Sequence, residues 1–325
     1  MKLGTTNARE RLPAVAVAAS ALVALFSLAP FSARADSRLA DLIENGRRAA
    51  ALELIGEGAD VNGSQGDGTT PLHWATYKLD AELVHVLLAH GAKADVKNDF
   101  GASPLSEAVK AGNAPLVATL LEADAEVDAA NADGETTLML AARAGSVPVA
   151  KLLLAHGADV NAREVWREQT ALMWAADGAN AELTSLLIAH GADVRARAAA
   201  NDWGAQITSE PRAQYRPTGG LTPLLFAARS GCAECARAIV AAGEAIDRPT
   251  PDGVTALMLA LDNYEFDTVD VLLDLGANPR YADWWGRTAL YLAVDLSTYV
   301  PRTPAYPHST KATGFDVVKR LLAAG

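Results

Sequence analysis

Six histidines and two cysteines are the side chains of this sequence best suited to bind a metal or to carry out redox chemistry. His90, His156 and His190 each stand in the tripeptide Ala-His-Gly, which returns at intervals along the chain. The other histidines stand singly, at His73, His85 and His308. Residues that recur at one or two repeat lengths lie in different layers of a repeating fold, so they do not surround one ion. We therefore expect a ladder of histidines, no metal site and no cofactor.

The two cysteines, Cys232 and Cys235, form a C-x-x-C pair. A c-type haem site needs a histidine directly after the second cysteine, but Ala236 follows it here. A redox role is also not expected, because no thioredoxin-like strand context precedes the pair. We expect Cys235 to face the core and Cys232 the preceding loop. A local disulfide stays open for an oxidising compartment, although its geometry is awkward.

No catalytic motif stands out elsewhere in the sequence. The chain has no G-x-S-x-G, no H-E-x-x-H and no glycine-rich phosphate loop. Its net charge is −11, and the part after residue 35 has 24 basic against 38 acidic residues. Such a surface repels phosphate backbones, so nucleic acid is not an expected partner. We therefore interpret the chain as non-enzymatic.

The first 35 residues have the pattern of a secretory signal peptide. Three basic residues precede an apolar run from Leu12 to Leu28, and the small-x-small sequence Ala33-Arg34-Ala35 follows it. No adjacent pair of arginines precedes the run, which favours the general secretory (Sec) route. We expect cleavage after Ala35, a periplasmic or secreted mature chain, and no membrane contact after cleavage. An uncleaved membrane anchor is the alternative, although the run is barely long enough to span a bilayer.

A repeated signal in the rest of the chain must form the elements that position these residues. It is a threonine or serine, then a proline, threonine or alanine, then a leucine. It begins at Thr70, Ser103, Thr136, Thr170, Thr222, Thr255 and Thr288, with steps of 33, 33, 34, 52, 33 and 33 residues. The threonine or serine can cap a helix, and a proline after it costs no hydrogen bond. A glycine such as Gly91 can end the second helix of the unit.

A period of 33 residues, with T-P-L-H before one helical pattern and G-A-D-V-N after a second, resembles the ankyrin repeat. The stretch from Asp67 to Asp95 is close to the family consensus. The sequence is therefore similar to exported bacterial-type ankyrin repeat proteins. The resemblance implies an all-α fold, an ankyrin-repeat solenoid of stacked helix-turn-helix units with hairpin finger loops. Such units stack because one unit cannot bury its apolar face alone.

The repeat divides residues 36–325 into eight units. Their bounds are 36–66, 67–99, 100–132, 133–165, 166–218, 219–251, 252–284 and 285–325. The first unit lacks the T-P-L-H half, and two units carry insertions, at residues 196–218 and 296–313. The chain ends where the eighth unit should begin its finger, which leaves an apolar layer without a polar cap. This end indicates either a truncated chain or a domain that continues.

The fifth position of each signal is expected to lie in the core. Four units hold Trp74, Glu107, Trp174 and Phe226 there. We expect the three aromatic side chains to be buried. The carboxylate of Glu107 needs a partner if it is buried, unless the side chain reaches solvent at the edge of the groove.

The family resemblance implies that a partner binds in a concave groove, built from the finger tips and the exposed side of each first helix. The matching groove positions are Tyr77, Lys110, Arg143, Asp177, Arg229 and Asp262. The matching finger positions are Phe100, Trp166, Arg167, Trp203, Trp284, Trp285 and Arg287, and the first insertion adds Arg212, Tyr215 and Arg216. Tryptophan and arginine dominate protein-binding hot spots, which favours a partner-binding role for these residues.

The finger aromatics of the C-terminal half could form one patch that joins Trp166, Trp203 and the Trp284–Trp285 pair. The finger around residues 249–252 has no aromatic residue, which weakens this continuity. The alternatives are that each ring packs on its neighbouring finger, and that the first insertion is a tolerated surface loop.

The resemblance implies a non-enzymatic, protein-binding scaffold of the cell envelope. Its partner would be a protein or peptide with a partly acidic or apolar surface. Two alternatives stay open. The finger tryptophans could stack on sugars in a glycan-binding module, or the chain could be the N-terminal adaptor part of a larger exported enzyme. We expect a monomer, since solenoids usually act as monomers.

Overall fold

The computed structural model describes residues 37–201, 218–298 and 313–325. The predicted signal peptide lies outside these ranges, as do Trp203, Arg212, Tyr215 and Arg216. Within the ranges the chain forms sixteen α-helices, which follow one another in pairs, and one short two-stranded ladder. The expected all-α repeating fold is confirmed. None of these helices is both long enough and apolar enough to cross a bilayer.

The helix pairs repeat with nearly constant lengths. The first four pairs are α1 Arg38–Glu44 with α2 Arg48–Gly56, α3 Pro71–Tyr77 with α4 Ala81–Ala89, α5 Pro104–Lys110 with α6 Ala114–Glu122, and α7 Thr137–Arg143 with α8 Val147–Ala155. The last four pairs are α9 Ala171–Asp177 with α10 Ala181–Ala189, α11 Pro223–Arg229 with α12 Ala233–Ala241, α13 Ala256–Asp262 with α14 Phe266–Asp274, and α15 Ala289–Thr298 with α16 Gly314–Ala324. The odd-numbered members are called first helices below, and the even-numbered members second helices.

Side-chain caps determine where the first helices begin. The hydroxyl of Thr70 accepts a hydrogen bond from the His73 amide (3.5 Å), and that of Ser103 accepts one from the Ser106 amide (3.1 Å). The threonines before α7, α9, α11 and α13 accept the same bond. Each cap satisfies an amide that has no partner within the helix and contributes about 1 kcal/mol. The recurring threonine or serine is therefore the start signal of the units after the first.

One leucine per unit lies at the centre of the stack. Leu72, Leu105, Leu138 and Leu172 are fully buried, and each contributes about 1.5–3 kcal/mol of apolar burial. Neighbouring first helices pack against one another along the whole series from α1 to α15. Neighbouring second helices pack closely only from α6 onward. The first helices therefore form the tighter, inner row of the solenoid.

The first unit has both helices, although its sequence lacks the T-P-L-H signal. Helix α1 begins after Ser37 without a side-chain cap. It buries Leu39 and Ile43 and packs against α3, so apolar contact replaces the missing cap. The expectation that this unit lacks its first half is wrong.

The two ends of the first insertion are held together. Strand β1 (Ala200–Asn201) pairs antiparallel with strand β2 (Thr218–Gly219). Arg197 donates one hydrogen bond to the Gly220 carbonyl and one to the Pro249 carbonyl, both at 2.7 Å. Helix α9 packs directly on α11, which follows the insertion. The stack is therefore continuous across it.

The two cysteines form a disulfide at the start of α12. Cys232 is the N-cap residue, where the backbone is not yet helical, and its Cα atom lies 5.2 Å from that of Cys235. This separation is ordinary for a disulfide, so the expected awkward geometry does not arise. Cys235 faces the core as expected, but Cys232 is buried too.

Candidate functional site

A side chain closes the turn of the fingers that carry aromatic residues. Asn98 Oδ1 accepts a hydrogen bond from the amide of Phe100 (3.1 Å). Asp283 Oδ1 accepts equivalent bonds from the amides of Trp285 (3.0 Å) and Arg287 (2.9 Å). These bonds satisfy backbone donors that lie outside helices and strands. The finger tips are therefore fixed supports for their side chains.

The finger between α8 and α9 has one residue more than the finger before it, and a longer side chain compensates for this extra residue. Glu164 stands there in the place of Asn98. Its Oε1 accepts hydrogen bonds from the amides of Arg167 (2.7 Å) and Gln169 (3.0 Å), and its Oε2 accepts one from the Trp166 amide (2.7 Å). Three amide donors can satisfy a carboxylate that is buried, as this one is. Trp166 is thus also held on a closed turn.

The aromatic finger residues project from these turns into solvent. Phe100 is 72% exposed, Trp166 is 74% exposed and Trp284 is 56% exposed. The Trp166 indole N–H donates to Asp133 Oδ1 of the preceding finger (2.8 Å), so this ring contacts its neighbour without being covered. Exposed rings of this size often mark interaction surfaces. These residues are therefore the strongest candidates for partner contacts in the described parts of the chain.

Three of the predicted site residues meet in one pocket between the second and third units. Tyr77, Phe100 and Lys110 line it together with Trp74 and Glu107, and its volume is about 450 Å³. We call it the Trp74 pocket. The Trp74 and Tyr77 rings meet edge to face, with their centroids 5.8 Å apart. Lys110 Nζ lies 2.9 Å from Glu107 Oε1, so the carboxylate at the fifth position has a partner.

A second pocket lies between the fourth and fifth units. Trp166, Arg167 and Trp174 line it, and its volume is about 350 Å³. The Arg143 guanidinium carbon lies 5.0 Å from the centroid of the Trp174 ring. A nitrogen of the same guanidinium lies 3.0 Å from Glu135 Oε1. A cation–π contact and an ion pair thus hold Arg143 against the groove.

A third pocket, of about 430 Å³, lies at the C-terminal fingers. Trp285, Arg287 and Tyr291 line it. The Arg287 guanidinium carbon is 4.8 Å from the Trp285 ring centroid, and Arg287 Nε is 2.7 Å from Asp283 Oδ2. Burial raises the pKa of Asp262, and the Arg287 guanidinium, 4.0 Å away, opposes this shift.

Arg229 has the same arrangement in the groove as the other two arginines. Its guanidinium lies 4.9 Å from the Phe226 ring centroid and donates a hydrogen bond of 2.6 Å to Asp177 Oδ1. Arg143, Arg229 and Arg287 are therefore each paired with a carboxylate of the chain itself. They do not form a basic surface, and they give no support to the expected acidic partner.

Comparison with known proteins agrees with the stacked helix pairs. A family model described as "Ankyrin repeats (3 copies)" matches six overlapping stretches, residues 39–131, 72–164, 120–198, 163–250, 204–283 and 224–300. The chain belongs to the ankyrin repeat family. The crystal structure of the human ASB11 ankyrin repeat domain is 21% identical, with a TM-score of 0.59 over 79% of this chain and 98% of that chain. No curated protein matches the sequence.

Ankyrin repeats are scaffolds for protein–protein interaction, so the family membership gives this ankyrin repeat protein its general role. The likeness to the ASB11 domain shows the fold alone at this level of identity. Which residues of the chain contact a partner must therefore be argued from their own positions.

In the described parts of this ankyrin repeat protein, Trp166 and Trp285 line two different pockets. The pocket of Trp166 and the pocket of Trp285 have no lining residue in common. Trp203, Tyr215 and Arg216 lie outside the described residues. A single C-terminal patch therefore stays a prediction.

Sequence reasoning missed two residues that line the groove. Trp74 and Trp174 are only partly buried, and their indole N–H groups donate to Gln65 Oε1 and Gln169 Oε1, both at 2.8 Å. Both rings pack against the core but are not fully buried, so the expected burial is only partial for them, whereas Phe226 is buried as expected. The tryptophan residue type itself could have indicated the partial burial, because an indole N–H needs an acceptor that an apolar core does not offer.

The repeated histidines have a structural role. In each Ala-His-Gly tripeptide the Nδ1–H donates to the carbonyl four residues earlier, at 2.8 or 2.9 Å. These bonds close the last turn of α4, α8 and α10. Across residues 37–201, 218–298 and 313–325, no group of three or more histidine, cysteine or acidic side chains is arranged to hold a metal ion.

Proposed function

We propose that this ankyrin repeat protein is an exported, non-enzymatic scaffold that acts as a monomer. It binds a protein or peptide partner through its finger tips and the inner row of first helices. The observation that carries this proposal is the exposure of Phe100, Trp166 and Trp284 on turns that are closed by side-chain hydrogen bonds. A large apolar ring on a fixed support loses little freedom when a partner covers it, which favours affinity.

Two observations support export. Residues 1–35 have the pattern of a cleaved signal peptide, and Cys232 and Cys235 form a disulfide. Disulfides persist in oxidising compartments and are rare in reducing ones. N-terminal sequencing of the protein from the periplasmic fraction of a bacterial host tests this part of the proposal. We expect the mature chain to begin at Asp36, and an intact Met1 in the cytoplasmic fraction would contradict export.

Partner binding is tested by capture from an envelope extract. The bait is the mature chain from Asp36, and it is compared with a Trp166→Ala/Trp284→Ala variant. The control is Phe315→Ala, because Phe315 is 64% exposed but lies on α16, away from the fingers. A hot-spot tryptophan contributes about 2 kcal/mol or more, so the double variant should bind at least about thirtyfold more weakly.

The expected result is a protein that the wild type and the control capture and the double variant loses, with equal helical content in all three by circular dichroism. Equal capture by all three baits would show that the fingers are not the binding surface. If soluble cell-wall glycans bind the wild type and no protein does, the scaffold proposal is wrong and the finger tryptophans bind sugars.

A further inference from the structure

Aromatic rings in the groove of this protein are repeatedly covered by an arginine of the chain itself. Arg143 lies over Trp174, Arg229 over Phe226 and Arg287 over Trp285, at 4.8–5.0 Å. Each guanidinium is also paired with a carboxylate, as described above. A planar guanidinium beside a ring and an acid is thus the arrangement that recurs in this groove.

The Trp74 pocket has the rings and the acids but not the arginine. Trp74, Tyr77 and Phe100 form its aromatic walls, and Tyr77 and Phe100 are mostly exposed. Within residues 37–201, no arginine or lysine lies over any of these three rings. Lys110, the one cation that lines the pocket, lies against Glu107. The pocket therefore leaves its aromatic faces open to solvent.

The charges around these rings are mainly negative. Asp67 lines the pocket, and a hydrogen bond from the Thr69 amide lowers the pKa of its carboxyl group, so it is ionised at neutral pH. His73 carries no compensating charge there, because burial lowers the pKa of its imidazole. Glu107 is the second acid, and Lys110 balances only one of the two.

The other side of Trp74 is acidic as well. Gln65 accepts the Trp74 indole N–H, and its own amide nitrogen donates to Asp41 Oδ1 (2.8 Å) and Glu44 Oε2 (2.7 Å). Glu44 is the last residue of α1, which is the position that Arg143 has in α7. Glu44, which is linked to Trp74 through Gln65, thus holds the helix position from which Arg143 reaches Trp174. Negative potential on both sides attracts a cation to the ring faces.

We propose that the Trp74 pocket binds an arginine side chain presented by the partner. The guanidinium lies against Trp74, Tyr77 and Phe100 and faces the carboxylates of Asp67 and Glu107. This inference rests on the proposed scaffold function and names the chemistry of the partner's anchor residue. The pocket volume of about 450 Å³ is ample for one arginine side chain.

The test titrates a short peptide, acetyl-Gly-Arg-Gly-amide, into the ¹⁵N-labelled mature protein. The readout is the indole N–H signal of Trp74, which is assigned with a Trp74→Phe variant. The control peptide carries citrulline, which has the shape of arginine without its charge. The Trp174 indole is the internal reference, because it makes the same kind of bond to a glutamine but already has Arg143 over its ring.

We expect the Trp74 signal to shift saturably with the arginine peptide, while the Trp174 signal does not follow it. Phe100→Ala should weaken the binding by about fivefold to tenfold, since a cation–π contact of this kind is lost. Phe315→Ala removes a ring of similar exposure outside the pocket and away from the fingers, and should leave the binding unchanged.

An equal response to the citrulline peptide, no shift at Trp74, or an equal shift at both indoles would each overturn the arginine site. If the peptide fails while a partner is still captured in the envelope experiment, only the anchor assignment is wrong. If the peptide binds at Trp74 and no protein partner is captured, the pocket stands and the scaffold function fails.

Discussion

In the turn between α9 and α10 the glycine stands one position earlier than in the third and fourth units, and this difference allows a test of the repeat geometry. Ala179 has a φ of +52°, in the left-handed region. The equivalent residues in the third and fourth units are Gly112 and Gly145, with φ of +64° and +67°. In those units an alanine precedes the glycine, whereas here Gly178 precedes the alanine. We therefore predict that the double variant Gly178→Ala/Ala179→Gly is more stable than the wild type.

The expected gain follows from the backbone alone. A residue with a Cβ in the left-handed region costs about 1–2 kcal/mol, which a glycine at 179 avoids. The exchange keeps the composition, so the unfolded-chain entropy terms of the two substitutions cancel. Gly178 has a φ of −76°, matching Ala111 before Gly112, so an alanine is tolerated there. A new Cβ at 178 would lie 3.3 Å from the Trp174 carbonyl oxygen, a close contact that reduces the gain.

The free energy of unfolding is measured by urea denaturation, followed by circular dichroism at 222 nm. We expect an increase of about 1 kcal/mol with an unchanged slope. The control is the reverse exchange in the third unit, Ala111→Gly/Gly112→Ala, which should lower the free energy of unfolding by a similar amount. If the first exchange leaves stability unchanged or lowers it, the left-handed conformation of Ala179 does not destabilise this turn.

Three further predictions concern buried polar groups. Burial raises the pKa of Glu244, so this group favours the folded state below its unfolded pKa and loses that contribution as pH rises through its folded pKa. Glu244→Gln should therefore raise the free energy of unfolding at pH 7 and change it little at pH 4, and an equal gain at both pH values would contradict this. The disulfide between Cys232 and Cys235 closes only a short loop. Its reduction should therefore lower the free energy of unfolding, measured by urea denaturation, by only about 2 kcal/mol. Global unfolding on reduction would refute this prediction. Glu164→Ala should cost about 2 kcal/mol or more, because three amides lose their acceptor, whereas the exposed Glu168→Ala should cost much less in the same assay.

The period and the caps made most of the fold predictable from the sequence. A hydroxyl residue before each first helix and a recurring leucine act locally, so they can be recognised without knowing what lies beside them. Helix α1 was missed because it has no such cap and depends on contact with α3. Tertiary packing of this kind is not visible in a local pattern.

The candidate site was less predictable from the sequence, because the burial of a residue at a given repeat position depends on the side chains around it. Trp74 and Phe226 hold the same position of the repeat, yet Phe226 is buried and Trp74 opens onto a pocket. The residue three positions later in the same helix differs too, since Arg229 lies over Phe226 whereas Tyr77 meets Trp74 edge to face. The repeat positions of the candidate residues follow from the sequence, but which of them share a pocket depends on side-chain geometry that a period does not encode.

The closed base of the first insertion makes the chain modular at that point. Because β1 pairs with β2 and α9 packs directly on α11, the helices before and after the insertion meet as they do in units without one. A different peptide could be grafted between Asn201 and Thr218 while the flanking layers keep their contacts. Natural variation and protein engineering can thus change the sequence of this loop independently of the solenoid that carries it.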